Sequence, residues 1–117
     1  MSLMQWAFVL FAAGACGGVS LALLVALKIR FPAWFGTAHG LLGLLALIVL
    51  FIANLHAEDA TPASAWWALG LLAAALSGGL IFFRTLFPGR APLTLAALHG
   101  GLALAGVYLL YRAAFVG

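Results

Sequence analysis

Two histidines are the residues in this chain best suited to chemistry, and they occur in matching surroundings. Arg30, Pro32, His39 and Gly40 recur as Arg90, Pro92, His99 and Gly100, sixty residues on and without a gap. Each copy reads R-x-P-x6-H-G and runs into a long apolar stretch. A neutral imidazole offers one lone-pair nitrogen and one N–H, so it can ligate a metal through one side and hydrogen-bond through the other. Two of them at matching positions form a two-point donor set.

The elements that must position these rings follow from composition. The chain has 117 residues, 68% of them hydrophobic and only 6% charged. Its mean hydropathy is +1.27. A soluble domain carries roughly 25% charged residues to cover its surface, which this chain cannot do, so it reads as an integral membrane protein. Four apolar runs, at about 4–27, 33–55, 65–86 and 93–115, each hold enough residues to cross the roughly 30 Å hydrocarbon core at about 1.5 Å per residue. Pro32, Pro62 and Pro92 stand just ahead of runs two, three and four, where the missing N–H has no helical acceptor to serve. Thr61 is the expected N-cap of the third helix. Asn54 is expected to cap the second helix, with His56, Glu58 and Asp59 solvated in the loop behind it.

Short connections make neighbouring helices antiparallel. The expected fold is therefore all-α: a four-helix transmembrane up-down-up-down bundle in one domain, 1–117. It comprises two helix hairpins, about 1–57 and 61–117, related by a parallel repeat. Laying 1–57 over 61–117 pairs Trp6 with Trp66, Ala15 with Ala75 and Gly18 with Gly78. Lys28, Arg30, Arg84 and Arg90 lie at one end of the bundle and Arg112 at the other. By the positive-inside rule, loops 28–32 and 87–92 face the cytoplasm of a bacterial inner membrane and both termini face the periplasm. Ala13-Gly14-Ala15-Cys16 is a weak likeness of a lipoprotein cleavage site. No Lys or Arg precedes Lys28, so the first run reads as a retained helix and Cys16 as a packing residue.

Each histidine lies seven residues past its proline, or about 10 Å into the bilayer. A polar ring at that depth needs a partner. Residues three before and four after share its face: Gly36 and Gly43 for His39, Ala96 and Ala103 for His99. These small side chains clear flat space beside the rings, as do Gly40, Gly100 and Gly101. Gly17-Gly18 and Gly78-Gly79 thin the other two helices. The same positions serve close helix packing. Arg30 and Arg90, with Arg84 a turn further in, stand where carboxylates of a macrocycle bound at the histidines would reach guanidinium groups.

These residues resemble, at the level of architecture, small b-type cytochromes and the heme-bearing membrane anchors of respiratory enzymes such as succinate dehydrogenase. There, one heme b sits between histidines of two helices. The resemblance implies a single heme b with iron on His39 and His99, and an electron-transfer role beside a redox partner or other membrane subunits. It departs from two-heme transmembrane cytochromes, which need four bundle histidines. Other occupants of the same pair are a chlorophyll-type pigment or a quinone. A cofactor-free accessory subunit of a respiratory or photosynthetic complex, with both imidazoles bonded to backbone carbonyls or to Ser20, Ser77 or Thr94, uses the same sequence. A homo-oligomer in the lipid bilayer is compatible with each reading.

Several classes are disfavoured. No acidic residue lies within a span, which argues against cation-coupled transport. No Ser-His-Asp, thiol-His or clustered-carboxylate set supports an independent enzyme, and two histidines alone make a poor zinc site. Five Lys and Arg in total cannot form a nucleic-acid patch. The face-to-face meeting of the second and fourth helices is the condition on which the histidine pair depends.

Overall fold

The computed structural model describes residues 1–117 as four long helices and no strand. Helix α1 spans Leu3–Ala26, α2 Trp34–Ala57, α3 Ala63–Gly79 and α4 Leu93–Tyr111. α3 continues as a wider π-helical stretch, Leu80–Leu86, and α4 as another, Arg112–Val116. With these extensions, all four helices are long and apolar enough to cross a membrane. The bundle measures 46 × 22 × 20 Å, so its long axis exceeds the roughly 30 Å hydrocarbon core.

Local chemistry accounts for the helix ends. Ser2 caps α1: its hydroxyl accepts from the Gln5 N–H at 3.1 Å, and Gln5 Oε1 accepts from the Ser2 N–H at 3.0 Å. This reciprocal capping box satisfies two otherwise orphaned donors, at about 1 kcal/mol per cap. Pro62 and Pro92 occupy the cap positions of α3 and α4. Thr61 therefore does not cap α3. Its hydroxyl donates instead to the Asn54 carbonyl at 2.7 Å. Asn54 is not a cap either. It lies inside α2, fully buried, and its Nδ2 donates to the Ala65 carbonyl of α3 at 3.1 Å. His56 is exposed and pairs only with the Ile52 carbonyl of its own helix.

α1 packs on α2 and α4, and α3 packs on the same two, so α2 and α4 stand on one diagonal of a square. The square is tight at only one end. Met4, Ala7 and Phe11 of α1 meet Ala46, Leu50 and Ala53 of α2, Ala65, Ala68 and Leu72 of α3, and Leu110 of α4 in one buried cluster. Gly106 belongs to this half. A Cβ there would stand 2.6 Å from Leu72 Cγ, so α3 and α4 approach closely because position 106 carries no side chain. None of residues 15–45 or 76–105 is fully buried. The half holding the histidines is thus the looser one.

The two hairpins match closely, with one shift of register. Burial along residues 31–50 is reproduced position by position at 91–110, sixty places on. In the preceding helices the offset is sixty-one: buried Met4, Ala7, Phe11 and Gly14 correspond to buried Ala65, Ala68, Leu72 and Ala75. The left-handed turn residues Lys28 (φ 56°) and Gly89 (φ 71°) keep that larger offset. The first turn then holds one extra residue, Ile29, between Lys28 and Arg30, where Gly89 and Arg90 adjoin directly. Gly18 therefore corresponds to Gly79, not to Gly78, and Trp6 to Trp67. Identities at an offset of sixty in the Ala- and Gly-rich helices are coincidental, since such sequences agree often in any register.

Candidate functional site

The histidines meet. His39 stands on the second turn of α2 and His99 on the second turn of α4, and their ring centroids lie 6.3 Å apart at an interplanar angle of 74°. Helices on the diagonal of a four-helix square are too far apart to pack directly. They reach each other through side chains of this length projecting into the middle. Both residues are half-buried.

Glycines of the flanking helices form the seat of each ring. A Cβ at Gly18 would lie 2.9 Å from His39 Cε1, and one at Gly79 would lie 3.1 Å from His99 Cε1. Both glycines are in α1 and α3, on helices adjacent to the ring-bearing ones. The sequence pattern pointed to the glycines on the histidines' own helices, and the structure divides those differently. Gly43 is covered by Leu76 of α3, 3.8 Å from where its Cβ would be, while Gly36, Gly40, Gly100 and Gly101 face open space. Gly36 thus borders open space, while the space beside Gly43 is taken by Leu76. Ala96 and Ala103 are half-buried at the corresponding places in α4.

The polar contacts of the two rings differ. His99 Nδ1 lies 2.9 Å from the Ala75 carbonyl. A carbonyl only accepts, so Nδ1 carries the hydrogen and the Nε2 lone pair is left to bind. Phe83, in the π-helical stretch of α3, meets His99 edge-on at 5.4 Å. His39 Nδ1 is buried and has no partner. The residues corresponding to Ala75 and Phe83 in the first hairpin are Gly14 and Ala22. Ser20 and Ser77 donate to carbonyls of their own helices, Cys16 and Ala73, and serve neither histidine.

The arginines gather at the histidine end but do not act alike. Arg84 donates to the Thr37 hydroxyl of α2, two residues ahead of His39, and so ties the π-helical end of α3 to α2. Arg30 and Arg90 are exposed in the turns before α2 and α4. No group of three or more His, Cys, Asp or Glu side chains is placed to hold a metal ion. A groove of about 320 Å³ runs between α1 and α2 and reaches His39. It is lined by Gly14, Gly17, Ala38 and Leu42 among others, and opens to the outside past the exposed Ala13 and Trp34.

Three residues here left no trace in the sequence pattern. Thr37 and Phe83 are ordinary members of apolar runs, and a backbone carbonyl such as that of Ala75 has no residue type to give it away. The place of Gly79 beside His99 is legible in the sequence once the extra residue of the first turn, Ile29, is allowed for.

Compared with known protein families, curated proteins and solved structures, the chain matches none.

Proposed function

We propose that the protein is a membrane electron-transfer protein, or the electron-transfer subunit of a larger membrane complex, holding one heme b between His39 and His99. The observation that carries this reading is the 6.3 Å separation of the two ring centroids across the bundle. With metal–nitrogen bonds of about 2 Å and a ring centroid about 1 Å behind each nitrogen, two imidazoles on opposite sides of one metal have centroids about 6 Å apart. The donor chemistry fits as well. The Ala75 carbonyl leaves His99 Nε2 unprotonated, and His39 Nδ1 has no protein partner, so nothing in the protein holds the His39 lone pair away from its Nε2. The absence of any fully buried residue at this end leaves the helices free to part around a flat group.

Bound there, heme b supplies reversible one-electron chemistry at the iron. The chain's own part is to orient two neutral imidazoles, to keep water from them with the surrounding apolar helices, and to set the potential through burial and hydrogen bonding. Arg30 and Arg90 are the side chains for the propionates, since guanidinium groups pair well with carboxylates. Arg84, engaged with Thr37, steadies the helix that carries His39. With four basic residues at the histidine end and Arg112 alone at the other, the short turns face the cytoplasm. Both termini then face the periplasm across a bacterial inner membrane. The chain has almost no part outside its helices, so its electrons pass to or from another protein or a quinone.

The test is a reduced-minus-oxidised spectrum of the purified protein. A b-type α band that disappears in the His39→Ala/His99→Ala double variant is expected. Absence of the band from protein supplied with hemin, or its survival in the double variant, sinks the reading.

A further inference from the structure

The two imidazoles are not held alike, and the difference has a consequence for what can bind. Resting on the heme reading above, we infer that His99 is the anchoring ligand and His39 an exchangeable one, displaced by small neutral ligands that arrive through the α1–α2 groove.

Four observations converge on this. His99 is pinned at Nδ1 by the Ala75 carbonyl at 2.9 Å, whereas His39 Nδ1 is buried without a partner. The hydrogen bond behind a ligating histidine fixes its tautomer and orientation and raises its basicity, and loss of such a partner typically costs about 10–100-fold in metal affinity. Phe83 braces the His99 ring at 5.4 Å, and the corresponding position in the first hairpin is Ala22, too short to do so. The groove is lined by α1 and α2 alone and reaches His39. Its lining is mostly apolar and it opens on the outer face of the bundle, so a lipid-soluble diatomic molecule or an isocyanide has a route to the weaker ligand.

The exchange is a ligand substitution with no net redox change. The bond from His39 Nε2 to ferrous iron breaks, and a bond from the carbon of carbon monoxide or of an isocyanide forms. His39 leaves as a neutral imidazole and the iron stays ferrous.

Carbon monoxide is the probe, added to the dithionite-reduced, heme-loaded wild-type protein in detergent or nanodiscs. The expected result is a carbon monoxide spectrum in the wild type, which needs no variant to fold. His39→Ala should keep heme within about tenfold of wild-type affinity, while His99→Ala weakens it by more than the roughly 10–100-fold that loss of a ligating histidine's hydrogen-bond partner costs. Ala13→Leu, at the mouth of the groove, should slow carbon monoxide association several-fold with heme content unchanged. In the heme-free His56→Gln protein, which lacks the ring bonded to the Ile52 carbonyl, nitrogen-15 histidine spectra should show one ring with a fixed Nδ1–H tautomer, absent when His99→Gln is added, and a second ring without it. Heme-loaded wild type whose reduced spectrum is unchanged under carbon monoxide, so that both histidines stay bound, overturns this inference and leaves the heme reading standing. So does equal weakening by the two single variants. Wild type that takes up no heme overturns both, whatever the nitrogen spectra show.

Discussion

The first and second hairpins carry the same motif at the same depth, yet they hold their histidines by different means. In the second, α3 widens into a π-helical stretch, and within it Phe83 meets His99; Arg84 of the same stretch reaches instead to Thr37, on the helix of His39. In the first, α1 remains α-helical through Ala26 and places nothing larger than Ala22 at the corresponding site. Both rings rest on a glycine, but only one has a carbonyl behind it. A duplicated sequence thus supplies two similar positions, and the neighbouring helix decides how rigid each becomes. π-Helical stretches occur often at functional sites, and here the stretch lies beside the better-fixed ring.

The largest effect that would sharpen this contrast is expected away from the rings, where the hairpins differ in how closely their helices approach. Gly106→Ala places a Cβ 2.6 Å from Leu72 Cγ, and overpacking of this kind costs about 1–3 kcal/mol. The corresponding residue of α2, Ala46, already carries a Cβ and is fully buried. Ala46→Gly should therefore destabilise by less, about 1 kcal/mol, from lost packing and helix propensity. Denaturant unfolding in mixed micelles measures both, and equal costs would mean that the two helix pairs pack alike after all.

A smaller effect is expected at the ring seats. Gly79→Ala pushes on a ring that is pinned on one side and braced on another, whereas Gly18→Ala pushes on one that can yield. Although the contact at Gly18 is the tighter, 2.9 Å against 3.1 Å, Gly79→Ala should cost about 1–2 kcal/mol and Gly18→Ala under about 1. The reverse order in the same unfolding assay would show that His39 is the more firmly held. The smallest effect concerns the brace alone. Phe83→Ala removes an edge-on aromatic contact of about 0.5–1.5 kcal/mol, and should bring the nitrogen-15 relaxation of His99 toward that of His39. An unchanged His99 would leave the Ala75 carbonyl as its sole restraint.

Much of the fold was legible because it rests on local quantities. The four runs, the prolines ahead of three of them and the antiparallel connections follow from transfer free energy and chain length. The site was legible only in part. His39 and His99 stood out because polar residues are scarce in this chain, and they do meet. Helical spacing picks out Gly36, Gly43, Ala96 and Ala103 beside the rings and thin strips at 17–18 and 78–79, but which glycine of a strip touches which ring is a matter of what lies near in space: Gly18 for His39 and Gly79 for His99. Thr61 and Asn54 were read as caps of the nearest helix end, whereas both bond around the turn between α2 and α3.

From the sequence alone came four membrane-length helices, two matching motifs and two imidazoles at one depth, each a property of residue type and spacing. The tertiary structure decided that α2 and α4 share a diagonal, that the preceding helices run one residue out of step with the motif, and that only His99 finds a carbonyl. The physical reason is that these helices are apolar around nearly their whole circumference. With no polar face to mark which side turns inward, rotation and register are set by small-residue packing between helices, and that information exists only once the helices are together.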